Sequence, residues 1–226
     1  MIKWKNVIQI AGVKSLEEAE TLVACGVEFI GFPLRLTVNA EDTTEEEARE
    51  IIAKIKRKSF PVLITYLSQH SEIIDFCDFL DVEIVQLHGK IETEELRELK
   101  RKRPDLKIIK SLVVRENNFS ELRASVEKLS PFVDAFITDT FDPETKAEGA
   151  TGKTHDWNVS AELVKLSPKP VILAGGLNAE NVAEAIRFVK PAGVDSHTGV
   201  ENERGDKDPE KVKAFVRAAK KAFEEI

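Results

Sequence analysis

Three glycine clusters and a few acid-base side chains are the residues of this 226-residue chain whose types and spacing suggest chemistry. Leu173-Ala174-Gly175-Gly176-Leu177-Asn178 ends an apolar run in paired glycines, where backbone N–H groups can approach an anion with no Cβ in the way. Val194-Asp195-Ser196-His197-Thr198-Gly199 ends another such run and adds hydroxyl donors. Gly149-Ala150-Thr151-Gly152-Lys153 is the third cluster. It lacks GxxxxGK[ST] spacing and no strand leads straight into it, so it is not a nucleotide loop. A single cluster is as easily a tight turn; three on one face predict a phosphate clamp. Its expected ligands are Gly152, Gly175, Gly176, Ser196, His197, Thr198 and Gly199.

Proton chemistry needs an acid and a base. Asp139 follows Phe136 and Ile137 at the end of an apolar run, and burial beside such neighbours raises a carboxyl pKa enough for proton donation near neutrality. Its structural alternative is a carboxylate that fixes the following loop. His197 titrates near neutrality and is expected to bind phosphate first and serve as base second. His155 and Asp142 are further base candidates, and Lys110 is the candidate Schiff-base amine. Cys25 and Cys77 have neither CxxC spacing nor a neighbouring His, so they read as small core residues, not a zinc site. No Asp/Asn-rich run suggests a cation shell.

These groups must be positioned by the elements around them. Strand-like runs occur at 7–10, 28–32, 62–65, 84–87, 107–113, 135–140, 171–174 and 193–195. Helical patterns follow at 15–24, 45–56, 71–79, 93–102, 119–129, 160–166, 179–189 and 209–223. Ser15 with Glu18 and Thr44 with Glu47 read as capping boxes, and Gly26 follows the first helix. Eight β/α units predict parallel strands in a single (β/α)8 TIM barrel spanning 1–226. An open doubly wound sheet is the alternative, which would need a reversal of strand order. The long connections, 33–44 and 141–158, both leave carboxyl ends of strands, the face on which barrels build their sites.

Composition narrows the class. Apolar residues at 42% and charged residues at 32% predict a globular chain with a well-solvated surface. The net charge of −7 comes from interleaved signs with no basic stripe, which argues against nucleic acid. No run approaches the ~20 apolar residues that span a bilayer, and the amino terminus lacks a signal-peptide core, so a cytoplasmic location without membrane association is expected.

The order of motifs resembles the phosphoribosylanthranilate isomerase family over nearly the whole chain. The matching pieces are Gln86-Leu87-His88-Gly89, Thr138-Asp139-Thr140, Ala150-Thr151-Gly152-Lys153-Thr154-His155-Asp156-Trp157, Gly175-Gly176-Leu177-Asn178 and Val194-Asp195-Ser196-His197-Thr198-Gly199-Val200-Glu201. The resemblance implies an Amadori-type aldose-ketose isomerisation in tryptophan biosynthesis, on a phosphorylated sugar, in a monomer or homodimer and without cofactor or metal. It makes Asp139 the acid that protonates the furanose oxygen. It places His88 beside the substrate but outside the proton transfers.

Two positions depart from the family. Its base is a first-strand cysteine, where this chain reads Gln9-Ile10-Ala11-Gly12-Val13 and offers only the methyl of Ala11. Its loop after the second strand carries an Arg that grips the anthranilate carboxylate; here Arg35 stands about five residues earlier and is the candidate for that contact. A retained phosphate clamp with an altered base leaves two other readings. One is an epimerase or aldolase acting on another phosphosugar, and the other is a non-catalytic phosphate-ligand homologue.

Overall fold

The computed structural model describes residues 2–37, 40–140 and 154–226. Eight strands alternate with eight helices in the order β1 (Val7–Ala11), α1 (Leu16–Ala24), β2 (Phe29–Pro33), α2 (Glu45–Ile55), β3 (Phe60–Thr65), α3 (His70–Leu80), β4 (Ile84–Leu87) and α4 (Thr93–Lys102). The series continues with β5 (Lys107–Val114), α5 (Phe119–Leu129), β6 (Ala135–Thr140), α6 (Trp157–Leu166), β7 (Val171–Leu173), α7 (Val182–Val189), β8 (Gly193–Ser196) and α8 (Pro209–Glu224). The strands pair in sequence order and β8 returns to β1, all parallel, closing the barrel. The open-sheet alternative is thereby excluded.

Strands covered on both faces read as continuous apolar runs, and β1 and β2 are buried at every residue. Alternation then sorts their side chains. Val7, Phe29, Val62, Ile84, Ile109, Ala135, Ile137 and Ile172 fill the barrel interior, with the Trp4 ring tilted against Phe29 at the amino end. Ile8, Ile10, Ile30, Phe32, Leu63, Val85, Ile108 and Leu112 face outward into the helix layer. Each helix presents a matching stripe. On α2 the buried positions are Ala48, Ile51, Ile52 and Ile55, at helical spacing along one side. Burying an Ile or Phe of this layer contributes roughly 1.5–3 kcal/mol, and truncating fully buried Phe32 to Ala is the kind of change that costs about 3–5 kcal/mol.

The Thr44–Glu47 capping box is complete, with each side chain bonded to the other's backbone. At α1 only half forms. Ser15 Oγ accepts from Glu18 N, but the Glu18 carboxylate accepts from Lys14 N (2.8 Å) and from Lys207 N (2.9 Å), tying the first helix to the loop after β8. Helix α6 starts three residues earlier than its periodicity indicates, capped by Asp156. Helix α7 starts later than expected, because the Asn178 side chain holds Glu180 N and Asn181 N in a turn. Cys77 is a core residue, as expected, whereas Cys25 lies half-buried at the α1 terminus beneath the amino end of α8.

Candidate active site

The carboxyl ends of β6, β7 and β8 bring two aspartates and two glycine-bearing loops to one small cavity. Asp139, Gly175, Gly176, Asp195, Ser196 and Thr198 are among its lining residues. Gly175 and Gly176 both have positive φ, +93° and +63°, a succession that L side chains adopt only with strain. A Cβ on Gly175 would also stand 2.1 Å from Thr140 Oγ1. Across the cup, a Cβ on Gly199 would stand 2.0 Å from the Leu177 carbonyl oxygen. Ser196 Oγ donates to that same carbonyl at 2.7 Å, so the hydroxyl fastens the β8 loop to the β7 loop. The sequence places Gly175, Gly176, Ser196, His197, Thr198 and Gly199 in one cup, and the structure gathers all six there. Gly152 and Asp142 lie outside the described residues.

Asp139 sits at the interior-facing phase of β6, after Ala135 and Ile137. Burial raises its carboxyl to about 7, opposed by the Thr140 N–H, which donates to Oδ1 at 2.8 Å. The loop-fixing role and the acid role therefore coexist on one side chain. Asp195 holds the same interior phase on β8, two residues after Gly193 and in register with Gln9 of β1. Burial raises it to about 7 as well, with the charge of Asp139 adding to the shift and a bond from Gln9 opposing it. Gln9 Nε2 also donates to Gln86 Oε1 (2.9 Å) on β4. A polar layer thus crosses the barrel under the cavity. Asp195 has no role in the sequence reading beyond membership of a motif; the signal for it is the two-residue alternation that points it inward with Gly193.

The other titratable candidates separate. His197 has its ring where a side chain on Gly12 would stand: a Cβ there would meet Nε2 at 1.9 Å. Nε2 lies 3.6 Å from Asp42 Oδ2 and 3.5 Å from Glu201 Oε1. Two carboxylates at that range favour an imidazolium, yet burial and the charges of Lys207 and Lys14 prevail and push the ring down to about 3. Glu201 is already held by Lys207 Nζ at 2.6 Å, and burial raises Asp42. The ring is neutral at working pH and faces an ionic cluster between the β1 and β8 loops. His155 bonds Thr140 Oγ1 through Nδ1 (2.9 Å) and Ser160 Oγ through Nε2 (2.6 Å). Burial lowers it to about 4; both nitrogens are engaged, so it joins β6 to α6.

His88 packs its ring against Tyr66 and its Nδ1 against Ser111 Oγ (3.1 Å), an interior residue of β5. Arg35 is not brought to the cup. Its guanidinium makes two bonds to Glu45 (2.8 and 3.1 Å) and lies 3.8 Å over the Phe76 ring, on the side of α2 and α3. Lys110 takes the outward phase of β5, between Ile109 and Ser111. Its Nζ donates to the carbonyls of Leu87 (3.0 Å) and Ser111 (2.9 Å). That orientation corrects the Schiff-base reading, because the amine lies in the helix layer and not in the barrel mouth. Ala11 does face the interior, as the last inward residue of β1.

Fold and site together define a (β/α)8 barrel with buried carboxyl groups beside a glycine-rich cup at its carboxyl face. The chain belongs to the N-(5'-phosphoribosyl)anthranilate isomerase family: the model of that family, described as N-(5'-phosphoribosyl)anthranilate (PRA) isomerase, matches residues 8–218. N-(5'-phosphoribosyl)anthranilate isomerase 2 of Methanosarcina mazei is 38% identical over 221 residues, covering 96% of this chain and 95% of the relative. The phosphoribosyl anthranilate isomerase of Thermotoga maritima superposes with a TM-score of 0.81 at 28% identity, over 96% of this chain and 99% of that one. A phosphoribosyl anthranilate isomerase in complex with reduced 1-(o-carboxyphenylamino)-1-deoxyribulose 5-phosphate superposes with a TM-score of 0.78 at 26% identity, over the same shares.

Proposed function

We propose that this protein isomerises N-(5'-phosphoribosyl)anthranilate to the 1-(o-carboxyphenylamino)-1-deoxyribulose 5-phosphate skeleton, an intramolecular aldose-ketose conversion in tryptophan biosynthesis. The observation that carries the reading is the meeting of Asp139 with the Gly175–Gly176 and Ser196–Gly199 loops in one cavity of a chain from this family. The loops offer backbone to the 5'-phosphate with no Cβ between. Asp139, held protonated by burial, gives its proton to the furanose ring oxygen. The C1'–O bond breaks as the anthranilate nitrogen lone pair forms C1'=N, and loss of the C2' proton gives the enolamine that ketonises. His88 lines the substrate and His155 holds the floor of the cup through Thr140.

Among the described residues no helix is long and apolar enough to cross a membrane, and the interleaved surface charge offers no track for nucleic acid. The reading is a cytoplasmic enzyme, monomeric or homodimeric. The test is conversion of N-(5'-phosphoribosyl)anthranilate followed by anthranilate fluorescence. Turnover that disappears in Asp139→Asn, with the reduced product analogue still bound, supports it. Tight analogue binding with no turnover in the unchanged protein would leave the non-catalytic reading in its place.

A further inference from the structure

An isomerase needs a group to accept the C2' proton, and the methyl of Ala11 cannot. Resting on the isomerase reading above, we propose that Asp195 is the general base of this protein, facing the acid Asp139 across the strand end at Ala174. Four observations converge. Asp195 lines the cavity that holds Asp139 and the glycine cup. It stands on β8 beside β1, in register with Gln9, so it lies next to the strand that ends in Ala11. Its Oδ1 is buried and has no hydrogen-bond partner among the described residues. Between the two aspartates the interior residue just past β7 is Ala174, and β1 contributes Ala11, so both neighbouring interior positions among the described residues are small.

Two carboxyls that share a buried site resist ionising together, so the pair holds one proton over a range of pH. That single proton suits the reaction. Asp139 passes its proton to the ring oxygen and becomes the anion. The reactive arrangement is the one with the shared proton on Asp139; Asp195, then the anion, takes the proton from C2' as that C–H electron pair forms the C1'=C2' bond of the enolamine and the iminium electrons return to nitrogen. The pair ends with one proton, now on Asp195, and exchange with solvent or between the carboxyls on product release restores the first arrangement. No oxidant, metal or cofactor enters the balance. Gln9 is a positioning residue in this scheme: it stands in register with Asp195, lowers the proton affinity of that carboxyl, and is itself anchored by the bond from its Nε2 to Gln86 Oε1.

The experiment compares the unchanged protein with Asp195→Asn, His197→Gln and Asp195→Asn combined with Ala11→Cys. N-(5'-phosphoribosyl)anthranilate is the substrate, and the reduced product analogue serves as the binding probe. Expected are loss of about a thousandfold in kcat for Asp195→Asn, analogue affinity close to that of the unchanged protein, and recovery of at least about a tenth of the lost rate when the thiol is added at residue 11. For His197→Gln, whose loop belongs to the phosphate cup, any loss is expected in KM and not in kcat. Retention of more than about a tenth of kcat in Asp195→Asn overturns the proposal. So does a loss that Cys at residue 11 does not relieve, or a collapse of kcat confined to His197→Gln. Absence of turnover in the unchanged protein would instead remove the isomerase reading, and the assignment of a base with it.

Discussion

The carboxyl groups of Asp139 and Asp195 line one cavity from strands on either side of β7, and the charge of the first raises the proton affinity of the second. Neither residue is near the other in sequence. Their pairing follows from barrel closure and from the inward phase that each strand gives to its aspartate.

That coupling fixes the shape of the pH profile. The acid must be protonated and the base ionised, so kcat should fall on both sides of an optimum near 7, with apparent values that belong to the pair. Exchanging the base for a thiol, in Asp195→Asn with Ala11→Cys, should move the acidic limb to higher pH, because a thiol ionises near 8.5. A profile whose acidic limb stays in place in that variant would show that the limb does not report the base.

Stability should carry the opposite sign from a salt-bridged carboxylate. Asp195 is raised in the folded chain to about 7, above roughly 3.9 in the unfolded one. The folded state therefore holds a proton that the unfolded state has lost, and stability declines as pH rises between those values. Asp195→Asn removes its share of the dependence and leaves that of Asp139. We expect a melting temperature at least about 2–4 °C higher than that of the unchanged protein at pH 8, the equivalent of about 1 kcal/mol, and a smaller difference at pH 5. Calorimetric scans at the two pH values decide it.

Gly199 has a backbone oxygen where a methyl would go, 2.0 Å from its ideal Cβ. Gly199→Ala must open the junction that Ser196 Oγ closes on the Leu177 carbonyl. About 1–3 kcal/mol of destabilisation is expected, together with weaker binding of inorganic phosphate as an inhibitor. Normal phosphate inhibition in a folded Gly199→Ala protein would place the anion elsewhere.

Lys207 Nζ is wholly buried and bonded to Glu201 Oε1 and the His197 carbonyl oxygen. Removing the amine in Lys207→Met leaves Glu201 and Asp42 facing each other in a low dielectric. Such a broken buried pair costs about 3–5 kcal/mol, to be read from urea denaturation. Loss smaller than about 1 kcal/mol would mean the carboxylates are already neutralised by protonation.

Lys110→Met tests the competing aldolase chemistry. The amine faces the helix layer and donates to two carbonyls, so turnover should persist at reduced stability. Borohydride added with a phosphosugar should capture no adduct on the unchanged protein; an adduct at Lys110 would revive a Schiff-base mechanism.

The sequence by itself determined the barrel and half of the site. Eight repeats of an apolar run and an amphipathic stripe leave few ways to bury both, and paired glycines at 175–176 state their conformational need locally. Asp139 was legible for the same reason, an acid set among apolar neighbours of its own strand. What only the tertiary structure decided depends on contacts between distant segments. The Arg35 guanidinium lies with Glu45 and Phe76, and the His197 ring lies over Gly12. Lys110 and Asp195 differ by a strand phase: a single residue of register turns one side chain to the helices and the other to the cavity. A carboxyl pKa is likewise a property of the enclosure, because desolvation and the charge of a partner far along the chain exist only once the barrel has closed.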